Sequence, residues 1–220
     1  MMRARRRRVA VLCHRGLWGE GVAQNSSHAI EQAFAAGYGI ETDVRDDRGT
    51  LVVSHDPPAG SELSVAELFA LYQGHGDLPL ALNIKSDGLA QSLADLLRRH
   101  AIENYFVFDM AVPDARQHLS ASLCVFTRQS EWEQHPPFYE LAAGVWLDAF
   151  FEHWWTIATI EAHLHTGKTV AIVSPELHGR DPEPVWLELA KLQLSEQARP
   201  RVLLCTDHPR AADERIHHDH

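Results

Sequence analysis

Two carboxylates and two histidines frame the chemistry open to this sequence. Glu41 and Asp43 lie two apart in Tyr38-Gly39-Ile40-Glu41-Thr42-Asp43-Val44, a β-rich segment. Residues two apart on a strand project from the same face, so both carboxylates enter one space. Like charges held side by side are costly unless a positive group sits between them. A divalent cation such as Mg2+ or Ca2+ suits that role. His14, followed by Arg15 and Gly16, and His55, in Ser54-His55-Asp56, add groups that carry protons near neutral pH. Carboxylates for a hard cation, histidines for protons and an arginine for an anion form a set suited to metal-assisted phosphoester chemistry.

The elements that must position these residues alternate from end to end. Period-2 apolar runs predict strands over 9–13, 39–44, 80–84, 105–108, 123–126, 144–147, 169–173 and 201–205. A turn at 46–49 followed by 50–54 predicts a small hairpin strand after the second of them. Amphipathic helices are predicted over 29–36, 65–72, 89–100, 157–165 and 185–194. Shorter helices are predicted after Pro113 and around 211–215. Asn25-Ser26-Ser27 and Ser64 supply caps, and Gly37 and Gly167 supply stops. Eight strand–helix units imply parallel pairing closed into a TIM (β/α)8 barrel, one domain spanning 1–220. A doubly wound open sheet is the competing arrangement, but no glycine-rich phosphate loop follows the first strand.

In such a barrel the functional groups stand at the C-terminal strand ends. There the sequence places His14 and Arg15, Glu41 and Asp43, Asn83 and Lys85, then Asp109, Arg128, Asp148, Glu176 and Asp207. The first half of the mouth is acidic and suits a hard cation. Arg15, Lys85 and Arg128 suit an anion. Each residue also has a structural reading. His14 can bond a backbone carbonyl, Glu41 and Asp43 can pair with Lys85, and His55-Asp56-Pro57-Pro58 can be a plain turn. Asp148 and Asp207 can cap the helices that follow, and the Glu176 loop can simply be solvated. His163 and His165, two apart on a helix, face different directions and cannot chelate one ion. His217, His218 and His220 crowd a terminus expected to fray.

Composition narrows the class. Of 220 residues, 45% are apolar and 23% charged, as in ordinary globular proteins. A formal charge of −10 argues against a nucleic-acid partner. The five arginines among residues 3–8 read as a solvated lead-in to the first strand. No apolar run is long enough to span a membrane or to form a signal-peptide core. Cys13, Cys124 and Cys205 are odd in number and lie in apolar runs, which points to reduced thiols and a cytoplasmic setting.

With these residues in hand, the sequence resembles the glycerophosphodiester phosphodiesterase family, within the superfamily of phosphatidylinositol-specific phospholipase C. The resemblance rests on His14-Arg15-Gly16, Asn25-Ser26, Ala33-Phe34, Gly37, Glu41-x-Asp43-Val44, Asp47-x-Gly49 and Leu51-Val52-Val53-x-His55-Asp56. It is tight over 9–57, with later landmarks at Ile84-Lys85 and Thr206-Asp207-His208-Pro209. It implies a TIM barrel hydrolysing a small or lipid-derived phosphodiester, with His14 and His55 as general base and acid. It further implies Glu41 and Asp43 on a divalent cation, and Arg15 and Lys85 on the phosphate. In the family's usual route a neighbouring substrate hydroxyl attacks phosphorus. Two departures stand out. Asn83 occupies the position of an expected glutamate two residues before Lys85, so the ion would be held more weakly or completed by Asp109 or Glu176. The tryptophan-containing motif expected at the seventh strand is replaced by 173–180. The alternative to an enzyme is a barrel that holds a phosphorylated ligand without cleaving it.

Overall fold

The computed structural model describes residues 9–217, leaving the arginine run at 3–8 and His218 and His220 outside the described residues. Eight parallel strands form the barrel: β1 (Ala10–His14), β2 (Gly39–Asp47), β4 (Leu80–Ile84), β5 (Tyr105–Phe108), β6 (Phe126–Gln129), β7 (Gly144–Leu147), β8 (Thr169–Val173) and β9 (Val202–Thr206). The short strand β3 (Thr50–Val53) pairs antiparallel with β2 alone, which is the predicted hairpin. Arg48 and Gly49 both have positive φ between these strands, the conformation a two-residue hairpin loop requires.

Strand order runs β5-β4-β2-β1-β9-β8-β7-β6, a nearly closed TIM barrel rather than an open sheet. The seam lies between β5 and β6. It is joined by a bridge from Val107 to Val125 and by the Val107 amide donating to the Cys124 carbonyl at 2.8 Å. Side chains supply what the ladder lacks there, because Phe106 stacks on Phe126 with centroids 3.9 Å apart. The β6 ladder to β7 begins only at Phe126, so β6 lies three residues later than predicted and contains Arg128.

Helices α1 (Ser27–Ala35), α2 (Val65–Leu71), α3 (Ala90–Arg99), α4 (Val112–Ser120), α5 (Ile157–His165), α6 (Glu183–Ala190) and α7 (Pro209–His217) surround the sheet. Ser26 caps α1 by accepting from the Ala29 amide, and Ser64 and Glu67 form a capping box on α2. The core lies in two places. Isoleucines, leucines and valines fill the space between sheet and helices. Leu12, Ala81, Phe106, Phe108, Trp146 and Cys205 belong to a separate apolar cluster inside the barrel.

That inner cluster sets the register of everything above it. Along β1 the inward parity runs from Leu12 to His14, along β4 from Ala81 to Asn83, and along β6 from Phe126 to Arg128. Each strand thus changes from an apolar plug to polar groups at its C-terminal end. His217, expected in a frayed end, is instead a helical residue bonded to the Val9 carbonyl at 3.0 Å.

Gly39 lets β2 close between its neighbours, since a Cβ there would lie 2.5 Å from the Pro79 carbonyl oxygen and 2.8 Å from Leu12 Cδ2. Gly39→Ala is therefore expected to destabilise the fold by about 1–3 kcal/mol. Urea denaturation followed by circular dichroism measures this, and an unchanged midpoint would show that β2 can shift freely.

Candidate active site

The site begins with β2, whose inward face carries Glu41 and Asp43, 2% and 1% exposed. Register places Asp43 beside Asn83 on β4, and His14 beside Glu41 on β1. Period-2 geometry thus delivers three strands' worth of polar groups to one spot.

Asp43 is the most heavily engaged. Arg15 Nε stands 3.1 Å from one carboxylate oxygen, and the Asn25 amide donates to the same oxygen at 2.9 Å. Lys85 Nζ lies 3.4 Å from the other oxygen. Asn25 also accepts from the Thr42 hydroxyl at 2.8 Å, tying the loop after β1 to β2. Arg15 and Asn25 have φ of 58°, and Asp109 at the end of β5 has 70°. Backbone strain at non-glycine residues is retained where neighbours over-determine it, as the Asn25 and Arg15 bonds to Asp43 do here. Gly16, also at positive φ, lets this loop touch α1, since a Cβ there would come within 2.8 Å of Ala29.

His14 is oriented from the far end of the chain. Its Nδ1 lies 2.7 Å from Asp207 Oδ1 at the end of β9, and its Nε2 lies 3.9 Å from Glu41 Oε2. Asp207 therefore serves as a histidine partner rather than a helix cap. Burial opposes protonation of His14, but the Asp207 hydrogen bond and the charges of Glu41 and Asp207 outweigh it, raising its pKa above 6.5. Burial pushes Glu41 up from 4.5 to about 7, reinforced by Asp43 and opposed by His14, Lys85 and Asn83.

His55 stands apart from this cluster. Its ring bonds to Asp56 at 3.0 Å, and its side chain is 46% exposed. It does share an open cleft of about 750 Å3 with Arg15, Asn25 and Ser54. Of the other candidates, Asp109 pairs with Arg128 at 2.8 Å, and Arg128 also pairs with Glu133. Glu176 accepts from the Ser174 and Thr206 hydroxyls and from the Asp207 amide, so it braces the β8 and β9 ends instead of facing Asp43. Asp148 accepts from the Ala149 amide and lies 2.7 Å from His178 Nε2, again not a helix cap. His163 is buried against Tyr139 and Gln129.

Asn25 and His178 were not singled out from sequence as site residues. An Asn-Ser pair reads as a helix cap, and His178 ends a short 3-10 helix, Pro175–His178, with its partner 30 residues away. The available signal for Asn25 was its place in the Asn25-Ser26 pair of the resemblance, and His178 had no local one.

The cation implied by the resemblance has a testable fit. Glu41 Oε2 and Asn83 Oδ1 are buried oxygens without a hydrogen-bond donor, and Asp43 Oδ1 has only the Lys85 ammonium 3.4 Å away. Buried polar atoms normally find a partner, and three hard oxygens suit Mg2+ or Ca2+. Among the described residues no three histidine, cysteine or acidic side chains gather as metal ligands, because the third position is an amide. The donor set fits a hard cation held with reduced charge.

No protein-family model and no curated protein matches this sequence. Solved structures do. A glycerophosphodiester phosphodiesterase from Parabacteroides distasonis aligns with TM-score 0.65 and 18% identity, covering 96% of this chain and 98% of that one. Another from Agrobacterium tumefaciens aligns with TM-score 0.68 and 16% identity, covering 94% and 98%. The fold is that of the glycerophosphodiester phosphodiesterases. The tryptophan synthase alpha chain from Legionella pneumophila, at TM-score 0.50 and 9% identity over 90% and 80% of the two chains, shares the barrel more loosely. At these identities the likeness to glycerophosphodiester phosphodiesterases is one of fold.

The raised Glu41 pKa has a stability consequence. Below 4.5 the carboxyl is protonated whether folded or not. As pH rises toward 7 the folded state alone must keep or lose that proton at a cost, so stability falls through this window. Glu41→Gln removes that cost. Relative to the parent, the metal-free variant should gain on the order of 2 kcal/mol between pH 5 and pH 8 in guanidinium denaturation. A difference that does not change with pH would reject burial of an ionisable carboxyl as the cause.

Proposed function

We propose that this chain is a metal-assisted phosphodiesterase acting on a small or lipid-derived phosphodiester. The observation that carries the reading is a histidine clamped by Asp207 and facing the buried Glu41–Asp43 pair, with Arg15 and Lys85 alongside. The Asp207 bond favours the tautomer with Nδ1–H donated, which leaves His14 Nε2 as the proton acceptor.

Glu41, Asp43 and Asn83 would hold the divalent cation. When bound, it polarises a non-bridging phosphate oxygen and offsets the charge that builds there. Arg15 and Lys85, already turned inward by Asp43, bind the other non-bridging oxygen, a site that suits arginine's planar fork. His14 Nε2 takes the proton of the attacking hydroxyl as its oxygen bonds to phosphorus. The ester bond to the leaving alcohol then breaks, and His55, reaching across the cleft it shares with Arg15, returns a proton to that oxygen. Cys13 and Cys205 are buried and Cys124 half-buried, which suits thiols kept reduced in a cytoplasmic setting. Among the described residues no helix is long and apolar enough to cross a membrane.

A second reading has its own support. Asp43 is already neutralised by Arg15 and Lys85, and Asn83 removes one charge, as expected of a barrel that binds phosphate without cleaving it.

Assay against glycerophosphodiesters and lysophospholipids with Mg2+ or Ca2+ separates the two. Turnover is expected, with His14→Ala lowering kcat/KM by at least about a hundredfold. Ligand capture in calorimetry without product release would favour the binder. Asn83→Glu should tighten metal binding by roughly an order of magnitude through the added charge. Unchanged affinity would remove Asn83 from the site.

A further inference from the structure

Four large apolar side chains are exposed among the described residues: Val112, Trp132, Leu141 and Phe151. Val112 opens α4 after β5, and Trp132 and Phe151 stand on the connections that follow β6 and β7, at the same end of the barrel as the candidate site. Trp132 and Phe151 are 67% and 65% exposed. Their rings are organised. Trp132 stacks on Phe150 with centroids 5.2 Å apart and meets Phe151 edge-on at 4.8 Å. Glu131 accepts from the Phe150 and Phe151 amides at 3.2 and 2.7 Å, which pins one loop to the other. The platform is therefore held in place without covering its outer faces.

It is also continuous with the polar mouth. Arg128 lies over the Phe150 ring at 5.5 Å and pairs with Asp109, which leaves β5 beside the end of β4 that leads to Lys85. A molecule whose anionic centre rests on Lys85 and Arg15 can extend over Arg128 onto these rings. We propose that Trp132, Phe150 and Phe151 seat the apolar chain of an amphiphilic phosphodiester, which deepens the phosphodiesterase reading and rests on it for the anionic end.

Charge selects this occupant over others. Glu131, Glu133 and Glu152 flank the rings, and the chain carries a net charge of −10. A second copy would bring the same acidic rim, and an anionic lipid surface would be repelled. The one cation-facing use of Phe150 is already filled by Arg128, which leaves apolar contact as the platform's remaining offer.

The test uses methyl n-alkyl phosphates from propyl to octyl, below their micellar concentrations, as binding probes without a neighbouring hydroxyl to react. Calorimetry on the full chain should show affinity rising about fourfold per added methylene. The Trp132→Ala, Phe151→Ala double variant changes only exposed side chains. It should flatten that slope and leave the propyl probe's affinity unchanged. A slope that survives in the variant, or no slope in the parent, overturns the proposal. 1-Octanol separates its failure from that of the phosphodiester reading. Binding of octanol that the double variant loses, with no gain from phosphate, keeps the apolar seat and rejects the phosphate site. Absence of slope accompanied by variant-sensitive sedimentation with phosphatidylcholine vesicles, or by variant-sensitive dimerisation in ultracentrifugation, reassigns the platform and overturns the proposal.

Discussion

Burying two carboxylates on one face of one strand is the constraint on which the rest of this structure depends. Glu41 and Asp43 share the inward face of β2 above an apolar plug, almost without access to water. An uncompensated pair of this kind is unaffordable in a medium of low polarity. The protein responds by converging on it. Arg15, Asn25 and Lys85 attend Asp43, while His14 and Asn83 attend Glu41. The compensation is incomplete, since Glu41 still holds its proton to about pH 7 and Glu41 Oε2 and Asn83 Oδ1 have no donor. The shortfall that remains lies at Glu41, where the proposed cation would supply the missing positive charge.

The mouth is divided into two halves of different character. From β9 through β1 and β2 to β4 it is polar, with a histidine, carboxylates and cations in mutual contact. From β5 to β7 the interior is filled by large aromatic rings, with Phe108 stacked on Trp146 at 3.8 Å, and the loops above continue in aromatics. Arg128 joins the halves, bonded to Asp109 on one side and resting on Phe150 on the other. Polar chemistry on one side and apolar contact on the other is the arrangement an amphiphilic substrate requires.

The barrel was largely legible because its strands are short apolar runs bounded by turn residues and its helices carry caps. The exception, β6, is instructive. Residues 123–125 are as apolar as any strand, but they lie at the seam and make one bridge, so the ladder starts at Phe126. Periodicity reports which residues are buried, not which backbone groups find a partner. The same distinction governs the site. Glu41 and Asp43 were legible because a period of two operates within one strand. The Asp207 clamp on His14 spans 193 residues, and the Asp148–His178 pair joins the end of β7 to the 3-10 turn after β8. Such pairings arise from closure of the barrel and leave no local pattern. His55 illustrates the converse, since a sequence motif placed it with His14 while the fold sets it on an exposed loop across the cleft.

The claim that the carboxylate pair is a cation site can be tested without any substrate. Crystals soaked in Mn2+, which takes the same hard oxygen ligands as Mg2+ and scatters anomalously, should show one anomalous peak among Glu41, Asp43 and Asn83. No peak there, with Lys85 and Arg15 still closed on Asp43, would contradict the account and leave the pair as an internally neutralised feature of the barrel.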